Sequence, residues 1–546
     1  MNQNNTFHVV NAFAGSGKTY GAIRWALEEA AVYQRKIVFV FKSIELIQQA
    51  HGDAVAAMTK RRWSVPVTKI HTDDQARYQP SASVGKQIID HLDQAVHSKG
   101  EILMITEAAF LDLQHWPKRY LWTCICDEIP DIAQSIKKNL PENHHLLTQH
   151  IRLMPAGDKY SEIGFSAGGK TALTRIAENR SGDEVNDVLS SMAKRIIRPT
   201  YQNFVLTNQF NGVLNPTGDT QPQQLEMFSL LQPNVFGDGS MRTISVETGD
   251  AEIKDRFANV IIMGAGFDIS LMANIWPGLD MQFEPHEEIS NRLRYTQHTC
   301  GHRLTIHLVF EADWSKSFGG HYSEIDGAAV SNFDVLRQAC QLVFDDKAFV
   351  YLVNKDRERE VHNAFHPNAE KLPNSPWGLN SYQAIHNAAI LAALNPTNAH
   401  LGFLDHLCQN SDAVRDALFH SHIYQAVMRS SLRDLSCVEP VQVVVPDRKS
   451  ATALASYFPD CKFEKLEMGL KETEPNQRGR PSLDQPKDPK LSQRETRQRK
   501  RALDKQIEKV LAGEPVDQAQ LEQFQRECKP RNPRLLRLLQ LVEDNC

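Results

Sequence analysis

"FHVVNAFAGSGKTYGAIRWAL", Phe7 to Leu27, is the stretch whose reading decides the fold. An apolar run leads into a glycine-rich loop, and apolar residues at helical spacing lead out of it. Glycines in such a loop let backbone N–H groups face phosphate oxygens that side chains would obstruct. The N-terminus of the following helix adds its partial positive charge. A lysine then reaches the β- and γ-phosphates, and a Ser or Thr hydroxyl binds magnesium. Ala14, Gly15, Ser16, Gly17, Lys18 and Thr19 are therefore the expected cradle for ATP, with Thr19 on Mg2+. Ala12 stands where the commonest form of this loop has its first glycine. The competing reading is an ordinary glycine turn capped by Thr19, and the strand–loop–helix context weighs against it.

A phosphate loop hydrolyses nothing alone. It needs a carboxylate near magnesium and a group that orients or deprotonates water. "LWTCICDEIP" (121–130) supplies both at the end of an apolar run: Asp127 for the metal and Glu128 as base. A solvated acidic turn is the alternative for this pair taken by itself. In "SHIYQAVMRSSLRDLS" (421–436), Gln425, Arg429 and Arg433 lie four residues apart, so one helix would carry them on one face. Arginines so placed can stabilise charge on a transferring phosphoryl group. The alternative is a surface helix whose arginines pair with Asp416 and Asp434.

Outward from these motifs the chain reads as α/β. "KIVFVF" (36–41), "EILMIT" (101–106) and 121–128 are expected strands, with helices from Gly21 to Tyr33 and from Ser43 onward, Ser43 as cap. Strands alternating with helices predict a parallel sheet covered on both faces. From about 131 to 245 the pattern loosens, and a largely helical insertion is expected before a strand resumes at "NVIIMGAGFDIS" (259–270). A second alternating series follows, with strands at 303–310, 348–353 and 441–446 and helices at 381–394 and 411–433. The expected division is a first lobe at 1–130, an insertion at 131–245, a return to the first lobe at 246–290, a second lobe at 291–468 and a basic tail at 469–546. The length of 546 residues suits several domains. A formal net charge of −5 excludes a uniformly basic coat but permits a local basic patch. Nine widely spaced cysteines without a C-x-x-C pair read as reduced thiols of a cytoplasmic protein. No apolar run is long enough to span a membrane, and the polar start has no signal-peptide layout.

Taken together, "AFAGSGKT", "DEIP" and "QAVMRSSLR" resemble motifs I, II and VI of superfamily 2 helicases of DEAD/DEAH-like type, in the divergent form of phages and plasmids. The variant with alanine in first position is common in such loops. The resemblance extends over most of residues 7–450 and implies two RecA-like lobes with ATP between them. It makes Glu128, Lys18, Gln425, Arg429 and Arg433 the catalytic set, with Arg429 favoured as the arginine finger. "KIVFVFKS" resembles motif Ia, with Lys42 on nucleic acid, and "LMITEAAF" motif Ib, with Thr106 near a phosphate. "PWGLNSYQAIHNAAILAALNP" resembles motif V, with Gly378 and Asn380 at the nucleotide. "VIIMGAGFD" resembles motif III, but Gly-Ala-Gly stands where Ser-Ala-Thr is usual.

The implied activity is an ATP-dependent helicase or translocase, DNA favoured over RNA, in replication or repair of a phage or mobile element. Two other readings stay open: an ATPase that clamps or remodels nucleic acid without unwinding, and a non-catalytic nucleic-acid-binding scaffold. In the tail, "QRGRPSL" resembles the core of an AT-hook, which makes Arg478 and Arg480 candidate DNA contacts. The tail and the insertion are also candidate surfaces for protein partners.

Overall fold

In the computed structural model the described residues are 6–72, 83–113, 115–180, 182–215, 223–246, 249–325, 327–365, 367, 369–373, 382–394, 397–408, 414, 416–470, 506 and 509. Contacts divide the chain into Met1–Lys471 and Glu472–Cys546, and nearly all described residues belong to the first of these. The tail residues Arg478 and Arg480 lie outside the described residues, as do Gly378 and Asn380.

Seven strands form the first sheet, in the order Gln282–Pro285, Thr6–Asn11, Asn259–Gly264, Trp122–Cys126, Lys36–Phe41, Glu101–Thr106, Val67–Ile70. Every pairing is parallel. Lys36–Phe41 is buried at all six positions, as a central strand covered on both faces must be. The strand Asn259–Gly264 runs between the loop strand and the acidic strand, although a long chain segment separates it from the latter in sequence. That segment leaves the sheet after the acidic pair and returns to the adjacent position.

What it builds differs from the largely helical expectation. Helices Gly169–Glu178, Glu184–Ile197 and Thr207–Leu214 are present. They accompany a five-stranded antiparallel sheet ordered Ala133–Leu140, Gln223–Leu231, Tyr201–Leu206, Tyr160–Phe165, Ile151–Pro155. These strands are half-polar; Ala133–Leu140 shows few buried positions between its ends. A strand of that kind gives no continuous apolar run, so its sheet is set by partners distant in sequence.

The second sheet has six parallel strands, ordered Ala369–Lys371, Phe349–Leu352, Asn387–Ile390, Val441–Asp447, Leu304–Phe310, Lys462–Lys465. The helix expected at 381–394 is instead a loop and the strand Asn387–Ile390, buried at all four positions between two parallel neighbours. Alanine-rich sequence favours a helix locally, and tertiary burial overrides it. Chain following this strand also reaches the insertion. In helix Asn398–Cys408, Phe403 stacks on Phe228 at 4.8 Å, and Thr397, just before the helix, donates from Oγ1 to the buried Glu226 at 2.9 Å.

The fold class is thus α/β, with two parallel-sheet lobes and an α/β insertion between neighbouring strands of the first. Among the described residues no helix is long and apolar enough to cross a membrane. All seven described cysteines are free thiols.

Candidate nucleotide site

The loop after Thr6–Asn11 turns into the helix Lys18–Tyr33. Gly15 and Gly17 have φ of +84° and +82°, a left-handed backbone that glycine adopts without strain. Space demands glycine as well: a Cβ on Gly15 would sit 2.8 Å from the Tyr295 hydroxyl and 3.0 Å from Arg433 Cγ. Ala12 N donates to Gly264 O, which fastens the loop to the returning strand. That strand accounts for the first residue of Gly-Ala-Gly. A Cβ on Gly264 would fall 2.4 Å from Ile129, directly after the acidic pair, so no larger residue fits there.

The acidic pair meets the loop from the neighbouring strand but one. Lys18 Nζ pairs with Glu128 Oε1 at 2.9 Å, each side chain about one-tenth exposed. Thr19 Oγ1 donates to Asp127 Oδ1 at 2.7 Å. Burial is the largest influence on Asp127, followed by the charge of Glu128. Together they push its pKa up to about 6, against the pull of Lys18, the Thr19 hydroxyl and Arg433.

From the second lobe come Gln425, Arg429 and Arg433. They do not share one continuous helix as expected. The helix Ser421–Val427 stops, Ser430 turns extended, and a single 3-10 turn covers Ser431–Arg433. Ser430 Oγ donates to Val427 O at 2.7 Å and accepts from Leu432 N, a local alternative to helix continuation that serine favours. Gln425 and Arg429 are nevertheless buried, and Arg433 lies over Gly15. Burial, then the neighbouring guanidinium, lowers the Arg429 pKa to about 10, while Glu128 opposes the shift. Arg433 is lowered by burial too, opposed by Tyr295 and Glu128. A buried and a half-buried guanidinium beside a glycine loop are a setting for a polyanion.

The residues present fit a nucleotide and its metal. Ser16 is fully buried at the loop, with its hydroxyl lacking a hydrogen-bond partner among the described residues. The Thr19 and Asp127 oxygens are the hard donors that magnesium takes.

Lys42 and Thr106 lie on the same C-terminal edge of the first sheet as the acidic pair, where Phe41 registers with Thr106 and Val40 with Cys126. Lys42 Nζ is paired with Glu107 Oε2 at 2.5 Å. Burial raises Glu107, and the Lys42 charge opposes this. The Thr106 hydroxyl accepts from Ala109 N at 3.2 Å and so caps a helix. Both groups have structural partners.

Sequence reasoning missed the segment joining the two lobes. Arg294 N donates to Ser16 O at 2.8 Å, and Tyr295 Oη donates to Ala14 O at 2.8 Å. Ala14 packs in the apolar cluster of the second lobe. No spacing rule marks a lone Arg-Tyr pair in a connecting segment as part of a site.

No family model matches the chain, and no curated protein matches its sequence. Solved structures are similar to it over most of their length. A variant of S. cerevisiae Dbp5 bound to RNA and ADP BeF3 has 9% identity and a TM-score of 0.35, covering 86% of this chain and 87% of that one. S. cerevisiae Dbp5 bound to RNA and ADP BeF3 has 8% identity and a TM-score of 0.33, with the same coverage. A Dbp5 variant bound to a Gle1 variant and IP6 has 8% identity and a TM-score of 0.28, covering 85% and 84%. The two-lobed reading stands on the sheet orders and the loop geometry, not on this likeness.

Proposed function

We propose that this chain is a nucleic-acid-stimulated ATPase acting as a helicase or translocase, with ATP as substrate and Mg2+ as cofactor. The observation that carries the reading is the pairing of Lys18 with Glu128 and of Thr19 with Asp127, facing two arginines from a separate lobe. A glycine turn of no function has no reason to bury four charged groups around itself, Lys18, Asp127, Glu128 and Arg429.

On this reading the Lys18 ammonium leaves Glu128 for the β- and γ-phosphates of the substrate. Glu128, freed of that partner, orients the attacking water and takes its proton. Thr19 and Asp127 would hold Mg2+, which supplies positive charge against the phosphate oxygens. Arg429 and Arg433 oppose the charge that spreads over the transferring group. Because these arginines come from the second lobe, a triphosphate favours closed lobes more strongly than its products do. Repeated closure along a strand would move it mainly through phosphate contacts, so sequence preference should be weak.

DNA as the favoured strand, and a phage or plasmid setting, belong to the same reading, as does a DNA-binding tail at Arg478 and Arg480. The decisive experiment measures ATP turnover with no nucleic acid, with single-stranded DNA and with single-stranded RNA, then strand displacement on duplexes tailed at either end. Stimulation with displacement supports the helicase. Stimulation alone supports a clamp or remodeller. No turnover under any condition overturns the ATPase reading.

A further inference from the structure

Ala14 sits at the crown of the phosphate loop, and both of its backbone polar groups are taken by phenols from outside the first sheet. Its carbonyl accepts from Tyr295, and its N–H donates to the Tyr424 hydroxyl at 2.9 Å. Tyr424 belongs to the helix that leads into Arg429, five residues on. It is 2% exposed, and its ring stacks on Tyr457 at 4.2 Å, so its hydroxyl has little freedom to aim elsewhere. One chain of contacts therefore runs from a loop amide to the helix that delivers the arginines.

The phenol oxygen accepts from Ala14, which leaves its own proton to be given away. His298 Nε2 lies 2.8 Å from it. The imidazole is as buried as the phenol and stacks on Phe458 at 4.6 Å. Burial pushes the His298 pKa down to about 4, so the ring is neutral, and taking the phenol's proton as a hydrogen bond assigns the lone pair to Nε2. Its other nitrogen, Nδ1, is buried with no hydrogen-bond partner among the described residues. A buried polar atom left unpaired destabilises the fold and calls for a reason. An apolar ring at 298 would stack on Phe458 equally well and leave no nitrogen unpaired. Histidine is explained by what Nε2 does for Tyr424: it fixes which way the phenolic proton points.

We infer that Tyr424, oriented by His298, is a positioning residue that registers the arginine-bearing helix of the second lobe on the Ala14 amide of the phosphate loop. This deepens the ATPase reading and rests on it. Hydrolysis needs guanidiniums placed to within a fraction of an ångström of the developing charge. Arg429 and Arg433 follow a broken helix, and such a break transmits position poorly unless something upstream is pinned. The Tyr424 hydroxyl supplies that pin. It does not contact the reacting atoms, and Lys18, Thr19 and Asp127, all in the first lobe, bind nucleotide without it.

The test uses the full-length chain with Tyr424→Phe, His298→Leu and His298→Gln, whose side-chain carbonyl can still accept from the phenol. Steady-state ATPase and calorimetric binding of Mg-ADP are measured for each, with Lys18→Ala as reference. The expected result is a loss of tenfold or more in kcat for Tyr424→Phe and His298→Leu, with Mg-ADP affinity within about threefold of wild type. His298→Gln should recover at least a third of wild-type kcat, and the double variant Tyr424→Phe/His298→Leu should be no slower than either single one. A merely structural role would lower affinity and kcat together and show no rescue by Gln. If Tyr424→Phe turns over at the wild-type rate while Lys18→Ala is dead, the positioning role is wrong and the ATPase reading survives. If Lys18→Ala hydrolyses ATP like wild type, the ATPase reading itself fails. Should Tyr424→Phe not fold, His298→Leu and His298→Gln carry the same comparison.

Discussion

Glu128→Gln should change three observables in different directions. Glu128 neutralises Lys18 at 2.9 Å, with both side chains about one-tenth exposed. The amide keeps the shape and one acceptor oxygen but removes the countercharge. Breaking a buried pair from one side leaves an uncompensated charge and costs about 3–5 kcal/mol. Here the residual hydrogen bond to the amide and the nearby Asp127 reduce that to about 1.5–3 kcal/mol of lost stability in the free protein. A nucleotide phosphate restores the missing charge to Lys18, so the same free energy reappears as tighter binding. About 1.5–3 kcal/mol corresponds to a roughly 10- to 150-fold lower Kd for ADP. Turnover should meanwhile fall about 10²- to 10⁴-fold, the usual contribution of a general base. Thermal melts with and without ADP, calorimetry and steady-state ATPase measure the three effects on one preparation. A variant that melts like wild type and binds ADP no more tightly would show that Lys18 and Glu128 are not paired in solution. A variant that hydrolyses ATP at the wild-type rate would remove Glu128 from the base role.

Lys18→Ala should abolish measurable turnover and weaken ADP binding, since no other described side chain of the loop carries a positive charge to the phosphates; wild-type turnover would contradict the loop assignment. Gly264→Ala should destabilise the protein by about 1–3 kcal/mol, because its Cβ would overlap Ile129, and adding Ile129→Val should recover part of the loss; a melting point unchanged by the substitution would refute the packing argument. Asp127 gives a pH test. Its folded pKa, about 6, lies above its unfolded value, so the native state holds the extra proton between the two. Stability of the metal-free protein should therefore fall as pH rises from about 4 to above 6. In Asp127→Asn that fall should be reduced, as read from urea unfolding across this pH range; an identical slope in both proteins would show that Asp127 ionises normally.

The first lobe was largely legible because its signals are local. Lys36–Phe41 and Asn259–Gly264 are continuous apolar runs, and Gly15 and Gly17 answer to backbone geometry that only their own φ values decide. The insertion's sheet was not legible. Gln223–Leu231 pairs with Ala133–Leu140 across some ninety intervening residues, and neither strand announces itself by periodicity. The strand Asn387–Ile390 was misread because four buried small and branched residues between helix-favouring alanines carry no period at all.

The site divides along the same line. Lys18 and Thr19 open the helix that follows the glycine loop, and Asp127 and Glu128 directly follow the strand Trp122–Cys126, so local sequence signals mark both pairs, and the first sheet brings them together. Gln425, Arg429 and Arg433 were found by residue type, but the i, i+4 argument that grouped them does not describe how they reach the cleft: the helix ends between them. What brings Arg433 over Gly15 is the docking of one lobe on the other, through Tyr424, His298, Tyr295 and Arg294. None of these four belongs to a spacing pattern, since each contacts a partner more than a hundred residues away. A sequence motif records chemistry that one element presents. The register between two lobes is chemistry that two elements share. If the proposed catalytic charges do come from both lobes, substitutions in the residues that set that register should lower kcat while leaving nucleotide affinity nearly unchanged, so kcat and Kd are to be measured apart.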